Sequence, residues 1–222
     1  MTSEPTRSRR ERPAKPALTR EGIVAASVDL VRSEGLKRVT MRRLADALDT
    51  APASLYVYVR NTAELHAAVL DELLGEVDLT PVHATGEWQD RLADVLRSYM
   101  RVLFTHPGLA ASALVARPSG PNYLSLVEAL LELLAEGDVP DGQASWGIDL
   151  LLLTATANAA EHAVPRSEED WDALTVALRA ATPDTYPRIA ALGEDLLSGP
   201  PPARLSWGLR MLINGIANTP RP

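Results

Sequence analysis

The fold is decided by residues 39–61, VTMRRLADALDTAPASLYVYVRN. Thr40 is a typical N-cap, and apolar residues recur after it at helical spacing. These residues are Met41, Leu44, Ala45 and Leu48. After a break at Asp49-Thr50, Pro52 stands in the first turn of a second short helix, which turns Leu55 and Val59 inward. Two short helices so close together predict a helix-turn-helix motif at about residues 40–59.

Amphipathic helices flank this motif on both sides. Before it, Thr19 offers an N-cap, apolar residues recur from Ile23 to Val31, and Gly35 ends the helix. After it, Asn61 caps a fourth helix. Glu64 is predicted to reach back to the Asn61 amide, as in a capping box.

The rest of the chain also has a helical pattern. We expect helices near residues 62–78, 87–105, 108–115, 120–136, 142–163, 168–180, 184–198 and 203–218. No sustained alternation of apolar and polar residues indicates a strand. The sequence therefore predicts an all-α protein. We expect a disordered basic arm at residues 1–17, the three-helix head at 18–64 and a larger helical body at 65–222.

Charge is distributed unevenly between these parts. Residues 1–64 contain 12 basic and 8 acidic residues, whereas residues 65–222 contain 10 basic and 21 acidic residues. The net charge of the whole chain is −7, which on its own argues against a nucleic-acid partner. The uneven distribution instead indicates that only the N-terminal part, residues 1–64, faces phosphate.

The outer face of the second motif helix carries short or flat side chains, which let a helix approach base edges closely. Its residues are Ala53, Ser54, Val57 and Tyr58. Ser54 can hydrogen-bond a base, and Ala53 or Val57 can pack on a thymine methyl. We expect further contacts, mainly to the DNA backbone, from Thr40, Arg42, Arg43, Tyr56, Tyr58, Asn61 and Thr62. Spacing alone also fits an ordinary all-α protein, and the basic head favours the DNA-binding interpretation.

Residues 18–74 resemble the DNA-binding domain of the tetracycline-repressor (TetR) family. The resemblance rests on a first helix that ends in EGL, followed by VTMRRLADAL, SLYVYVRN and a capped fourth helix. More weakly, residues 87–122 resemble the fifth to seventh helices of that family, and SWGLRMLINGI at 206–216 resembles its last helix. The resemblance implies a homodimer, a palindromic operator, and a ligand pocket in the body that controls repression. Activators share the architecture.

The sequence departs from the family pattern at several positions. Asp49 stands in the turn where Gly is common, and Asp tolerates a left-handed backbone better than most residues. The recognition helix lacks the Gln-Pro-Thr run of the tetracycline repressor, so its operator is not transferable. The magnesium-binding His of that repressor aligns with Ala113 and a drug-binding Asn with Val95, which argues against tetracycline with magnesium.

The last helix is predicted to form the dimer interface. One stripe of this helix carries Leu205, Gly208, Leu209, Leu212 and Ile216. Gly inside a helix costs about 1 kcal/mol relative to Ala, so Gly208 and Gly215 indicate a close helix approach. Helix 142–163 is apolar on nearly all sides from Leu150 to Ala160, and the resemblance implies a four-helix bundle of both helices with their mates. An ordinary monomeric core is the alternative.

An apolar cavity with a few polar points is the expected form of the effector site. The candidate lining residues are Trp88, Leu92, Tyr99, Leu103, Phe104, His106, Leu126, Leu130, Trp146, Leu150 and Asn158. Each of them fits core packing as well. No Gly-rich phosphate loop is present, so an aromatic or hydrophobic, largely uncharged effector is expected.

Two other functions compete with a ligand-controlled repressor. A regulator controlled by a protein partner fits the same sequence, and the polarity and volume of the cavity would separate the two. An all-α enzyme is disfavoured because the chain has no cysteine, no nucleophile elbow and no H-E-x-x-H motif. We expect no cofactor and no metal. The N-terminus lacks an apolar stretch and no segment is long enough to span a bilayer, which predicts a cytoplasmic protein.

Overall fold

Eleven α-helices and no strand are found in residues 17–106, 108–116, 118–163 and 168–222, the parts of the chain that the computed structural model describes. In the head these are α1 (Arg20–Glu34), α2 (Met41–Ala47), α3 (Pro52–Leu55) and α4 (Thr62–Leu74). In the body they are α5 (Trp88–Thr105), α6 (Leu109–Ala113), α7 (Pro121–Glu136), α8 (Asp141–Ala163), α9 (Glu168–Arg179), α10 (Pro187–Leu192) and α11 (Pro201–Asn218). The all-α prediction is confirmed. The predicted basic arm lies outside the described residues except for Ala17.

The N-caps of the head fold as their sequence predicts. Thr19 Oγ1 accepts the Gly22 N–H at 3.0 Å, Thr40 Oγ1 accepts the Arg43 N–H at 3.2 Å, and Asn61 Oδ1 accepts the Glu64 N–H at 2.8 Å. Each bond satisfies a donor that the helix itself leaves unpaired.

The predicted capping box at α4 is wrong in one bond. Glu64 Oε2 accepts the backbone N–H of Arg60 at 2.8 Å instead of that of Asn61. The same oxygen accepts Arg60 Nε at 3.0 Å, so the guanidinium draws the carboxylate one residue further along the chain. Together these hydrogen bonds lower the pKa of Glu64.

The turn of the helix-turn-helix uses Asp49 as expected. Its φ of 49° lies in the left-handed region that Gly normally occupies. The following helix α3 is shorter than predicted and ends at Leu55, so it does not reach Val59. Two 3₁₀ turns that the sequence pattern did not predict lie at Leu36–Arg38 and Thr80–His83. The predicted helix 184–198 is divided at Gly193 into α10 and a third 3₁₀ turn.

One continuous hydrophobic core joins the head to the body. In the head it contains Leu44, Ala45, Leu55 and Val59, all of them buried. In the body α5 lies at the centre and packs against α7, α8 and α11. The link between the two parts is α4, which packs against α1 on one side and α7 on the other. In the described residues no helix is both long and apolar enough to cross a membrane.

Candidate DNA interface and ligand cavities

The segment that begins at α3 projects from the head. Leu55 is buried and anchors it, whereas Tyr56 is 54% exposed and Val57 is 80% exposed. Ala53 is exposed as well, and Ser54 is half-buried. Exposed apolar side chains next to a buried anchor suit a surface that packs into a groove of its partner.

Tyr58 differs from its predicted position on the outer face. It is half-buried and packs against the hydrophobic core. The reason is that α3 ends at Leu55, so Tyr58 lies in the turn that follows, where its N–H donates to Leu55 O at 2.9 Å. A large part of the Tyr58 ring therefore supports the segment from behind.

The two arginines of α2 differ in their contacts. Arg42 is exposed, and no ion pair to it is found in the described part of the chain. Arg43 Nη2 lies 2.5 Å from Glu34 Oε1 on α1, and Arg43 Nε donates to the same oxygen at 3.1 Å. These hydrogen bonds are the main cause that lowers the pKa of Glu34. Arg43 therefore holds α2 against α1, whereas Arg42 is available to an anion.

Thr40, Asn61 and Thr62 lie at the two helix N-termini that were predicted to face phosphate. Thr40 and Asn61 are exposed, and their side-chain oxygens are engaged as N-caps. Thr62 is half-buried in the first turn of α4. Backbone N–H groups at such helix ends favour anions.

The predicted ligand-binding residues do not converge on one cavity. Leu92, Leu103, Leu126 and Leu130 are fully buried in the core. Trp88 is half-buried beside Gly137, where an added Cβ would lie 2.2 Å from Trp88 Cε2. These five residues are corrected to packing roles, because neighbouring helices fill the space around them.

His106 is corrected too, because it is buried at a junction between body and head. Its Nε2 lies 3.2 Å from Glu76 Oε2, and Glu76 Oε1 accepts Arg32 Nη2 of α1 at 2.8 Å. Glu76 thus bridges the end of α5 to the first helix of the head. Gly108, which follows this junction, would place a Cβ 3.8 Å from Leu36 Cβ in the head.

Tyr99 lies in a small cavity among α4, α5, α7 and α8, here called the central cavity, with a volume of about 150 Å³. Its lining includes Leu70, Tyr99, Tyr123, Asp149, Leu152 and Thr156. Tyr99 Oη lies 2.7 Å from Thr156 Oγ1, inside the protein. Of the residues predicted for the ligand site, Tyr99 alone lines this cavity. Sequence reasoning missed Thr156, although a threonine that interrupts an apolar helix is a usable signal.

Other predicted ligand residues lie in two separate places. Trp146 and Leu150 line a groove of about 320 Å³ between α8 and α11, which the C-terminal residues Thr219 to Pro222 border. Arg221 stacks on Trp146 at 4.9 Å from the ring centroid. Asn158 lines a cavity of about 660 Å³ among α8, α9 and α11. Phe104 is 40% exposed and meets the His162 ring edge-on.

Two of the five residues predicted for the dimer interface lie on the side of α11 that faces the same chain. Leu209 and Ile216 are buried within the same chain, because this side of α11 packs on α5 and α8. Leu205, Gly208 and Leu212 are half-buried at the border. The exposed apolar side chains of α8 and α11, here called the α8/α11 face, are Trp146, Leu150, Leu153, Trp207 and Met211.

Two family models match most of the chain. Residues 23–69 match the model described as bacterial regulatory proteins, tetR family. Residues 80–219 match the tetracyclin repressor-like C-terminal domain. The first match ends within α4, and the second begins after α4.

Two curated relatives are transcription regulators. An HTH-type transcriptional regulator of Saccharopolyspora erythraea is 37% identical over 54% of this chain, which corresponds to 51%, about half, of that regulator. The HTH-type transcriptional repressor DrrR1 of Streptomyces coeruleorubidus is 28% identical over 95% of this chain and 82% of the repressor.

Two solved structures of Streptomyces coelicolor proteins have the same fold. SCO7704, assigned as a transcription regulator, is 56% identical with a TM-score of 0.78, over 94% of this chain and 98% of its own. The TetR family protein ActR in complex with actinorhodin is 32% identical with a TM-score of 0.79, over 92% of this chain and 99% of its own.

Proposed function

The chain belongs to the tetR family of bacterial regulatory proteins, and we propose that it is a homodimeric repressor which a small molecule releases from its operator. The observation that carries the proposal is the exposed segment Ala53 to Val57 of the head, which is anchored by buried Leu55. Relatives named as repressors, DrrR1 among them, support repression over activation.

DNA binding is assigned to the head. Ala53, Ser54 and Val57 contact base edges in the major groove, and Arg42 with Tyr56 contacts phosphates on either side. Thr40, Asn61 and Thr62 present helix N-termini to the backbone, and Tyr58 adds its hydroxyl from the border of the core. Arg43 contributes mainly by holding α2 in place, since Glu34 already engages its guanidinium.

Dimerisation is assigned to the α8/α11 face. Trp207 is 71% exposed and Trp146 is 56% exposed, which is unusual for side chains that bury so much apolar area when covered. A second copy placed on this face by a two-fold axis gives a four-helix bundle and brings two heads to one side of a duplex.

The effector site is assigned to the central cavity. It lies where α4, the link to the head, meets α7 and α8, and Leu70 of α4 is part of its wall. A ligand that changes the packing there shifts α4 and with it the spacing of the two heads. The ActR complex with actinorhodin supports a small-molecule effector.

An electrophoretic shift assay tests the whole proposal. The purified chain is titrated onto the DNA upstream of its own gene, at two salt concentrations, and the complex is then challenged with a library of metabolites and drugs. We expect a retarded complex that weakens with salt and that at least one compound dissociates. If no retardation occurs at micromolar protein, the proposal is wrong.

A further inference from the structure

The hydroxyl pair inside the central cavity has a fixed direction. Thr156 Oγ1 lies 2.7 Å from the carbonyl oxygen of Leu152 and 2.7 Å from Tyr99 Oη. Both separations require a proton between the oxygens, and the Leu152 carbonyl has none to give. Thr156 therefore donates to Leu152 O, and Tyr99 donates to Thr156.

This direction leaves Tyr99 as an acceptor only. A phenol has one proton, and Thr156 receives it, so the remaining lone pair of Tyr99 Oη can accept a bond. Burial raises the pKa of Tyr99 more than the hydrogen bond with Thr156 lowers it, so the phenol stays neutral at physiological pH. A bound molecule that carries a hydrogen-bond donor can therefore use this acceptor position.

The other residues that line the cavity favour a particular size and charge of the bound molecule. Leu70, Ala113, Leu152 and Leu153 form apolar walls. A cavity of about 150 Å³ has room for one benzene-sized ring. Asp149, the carboxylate in the lining, disfavours an anion.

We propose that the central cavity binds a neutral phenol ring, whose hydroxyl donates its hydrogen bond to Tyr99 Oη. This inference rests on the proposed effector site and goes beyond it by naming the chemistry that the site recognises. Tyr99 is then a specificity-determining residue, and Thr156 sets the polarity of Tyr99. An aryl ether with the same ring has no proton to give and leaves the Tyr99 lone pair unpaired, which costs affinity.

Fluorine NMR titration of the full-length chain with 4-fluorophenol and 4-fluoroanisole tests this proposal. The two probes differ only in whether the oxygen carries a proton or a methyl group. We expect the phenol to bind on the order of tenfold more tightly than the ether, since one hydrogen bond is at stake. Equal affinities, tighter binding of the ether, or no binding of either probe at 20 mM would overturn the proposal.

Two substitutions test whether the phenol preference comes from the hydroxyl pair or only from the size of the ligand. In Tyr99→Phe the preference for the phenol should disappear. In Thr156→Val the Tyr99 proton loses its acceptor and becomes available to the ligand, so the ether should gain affinity and the preference should shrink severalfold. Thr154→Val, an exposed threonine on the same helix, is the matched control and should keep the preference. A preference retained in both cavity variants contradicts the proposal.

The shift assay distinguishes failure of this inference from failure of the proposed function. If the chain binds its DNA and a compound without a hydrogen-bond donor releases it, the proposed regulator is supported and the phenol proposal is wrong. If the phenol preference is found but no DNA is bound, the phenol proposal is supported and the repressor proposal is wrong.

Discussion

Asp71 of α4 caps α7, because its Oδ1 accepts the backbone N–H of Tyr123 at 2.9 Å. Asp71 is buried, and a Cβ on Gly120, the N-cap residue of α7, would lie 2.1 Å from Asp71 Oδ2. The carboxylate therefore fits against a helix start that only glycine leaves open. This bond connects the helix that carries the head to the helix that supplies Tyr123 to the central cavity.

Asp71→Ala should destabilise the chain by about 1–2 kcal/mol, because it removes the cap of the α7 N-terminus and leaves the partly buried Tyr123 N–H unsatisfied. Urea unfolding followed by circular dichroism measures the loss. Asp172→Ala removes an exposed carboxylate from α9 and should change the free energy of unfolding by less than about 0.5 kcal/mol. Equal effects of the two substitutions would mean that Asp71 is not a cap in solution.

Glu76→Gln should make stability less dependent on pH in the acid range. Partial burial acts to raise the pKa of Glu76, but the hydrogen bonds and charges of Arg32 and His106 outweigh it and lower the pKa. A carboxyl with a lowered pKa stabilises the folded chain above its unfolded pKa of about 4.3, and this contribution is lost as the pH falls through the folded pKa.

The melting temperature of Glu76→Gln should therefore lie below that of the wild type at pH 7, and the two should converge as the pH falls toward about 3. Thermal melts at closely spaced pH values measure the difference. Glu128→Gln, at an exposed position on α7, is the control and should follow the wild-type curve. A constant difference at all pH values would show that the carboxylate charge is not involved.

Features of this fold that depend on nearby residues were predictable from the sequence. The caps at Thr19, Thr40 and Asn61 and the left-handed Asp49 were predictable, because each depends on neighbours within a few residues. The backbone partner of Glu64 was not predictable, because the guanidinium of Arg60 also hydrogen-bonds the Glu64 carboxylate and draws it away from Asn61.

The cavity and the two faces of α11 depend on tertiary packing and were only partly predictable. Tyr99 and Thr156 are 57 residues apart and meet only because α5 packs on α8. On α11 apolar residues lie on both sides, so periodicity finds a stripe but does not tell which side the same chain covers. Leu209 is buried by its own chain, and Trp207 is left exposed.

Arg42→Ala and Tyr56→Ala should weaken DNA binding for all sequences alike, whereas Ser54→Ala should alter sequence preference more than overall affinity. Losing one phosphate contact should also reduce the slope of log K against log salt by about 1 for Arg42→Ala. Shift assays on the operator and on unrelated DNA at several salt concentrations measure both quantities. Arg97→Ala removes an equal charge from the body and should leave both unchanged. If Arg97→Ala lowered DNA affinity as much as Arg42→Ala, the assignment of the head as the DNA-binding surface would be wrong.

Met211→Glu should convert a dimer into a monomer, because it places a charge in the centre of the α8/α11 face. We expect the dissociation constant of the dimer to rise by at least about a hundredfold, since a buried unpaired charge costs several kcal/mol. Sedimentation equilibrium measures it, and DNA retardation should weaken in parallel. Leu124→Glu, at an equally exposed apolar position on α7, is the control. A dimer that survives Met211→Glu unchanged must use another face.

Gly147→Ala should destabilise the packing of α8 on α11, because the added Cβ would lie 2.6 Å from Ile216 Cγ2 and 3.1 Å from its Cδ1. Overpacking of this kind costs about 1–3 kcal/mol, which exceeds the gain in helix propensity from replacing Gly by Ala. Urea unfolding at one fixed protein concentration measures the net effect. Ile216→Ala removes both clashing atoms, so Gly147→Ala introduced into that background should be neutral or stabilising. A penalty of the same size in both backgrounds would show that the clash with Ile216 is not its cause.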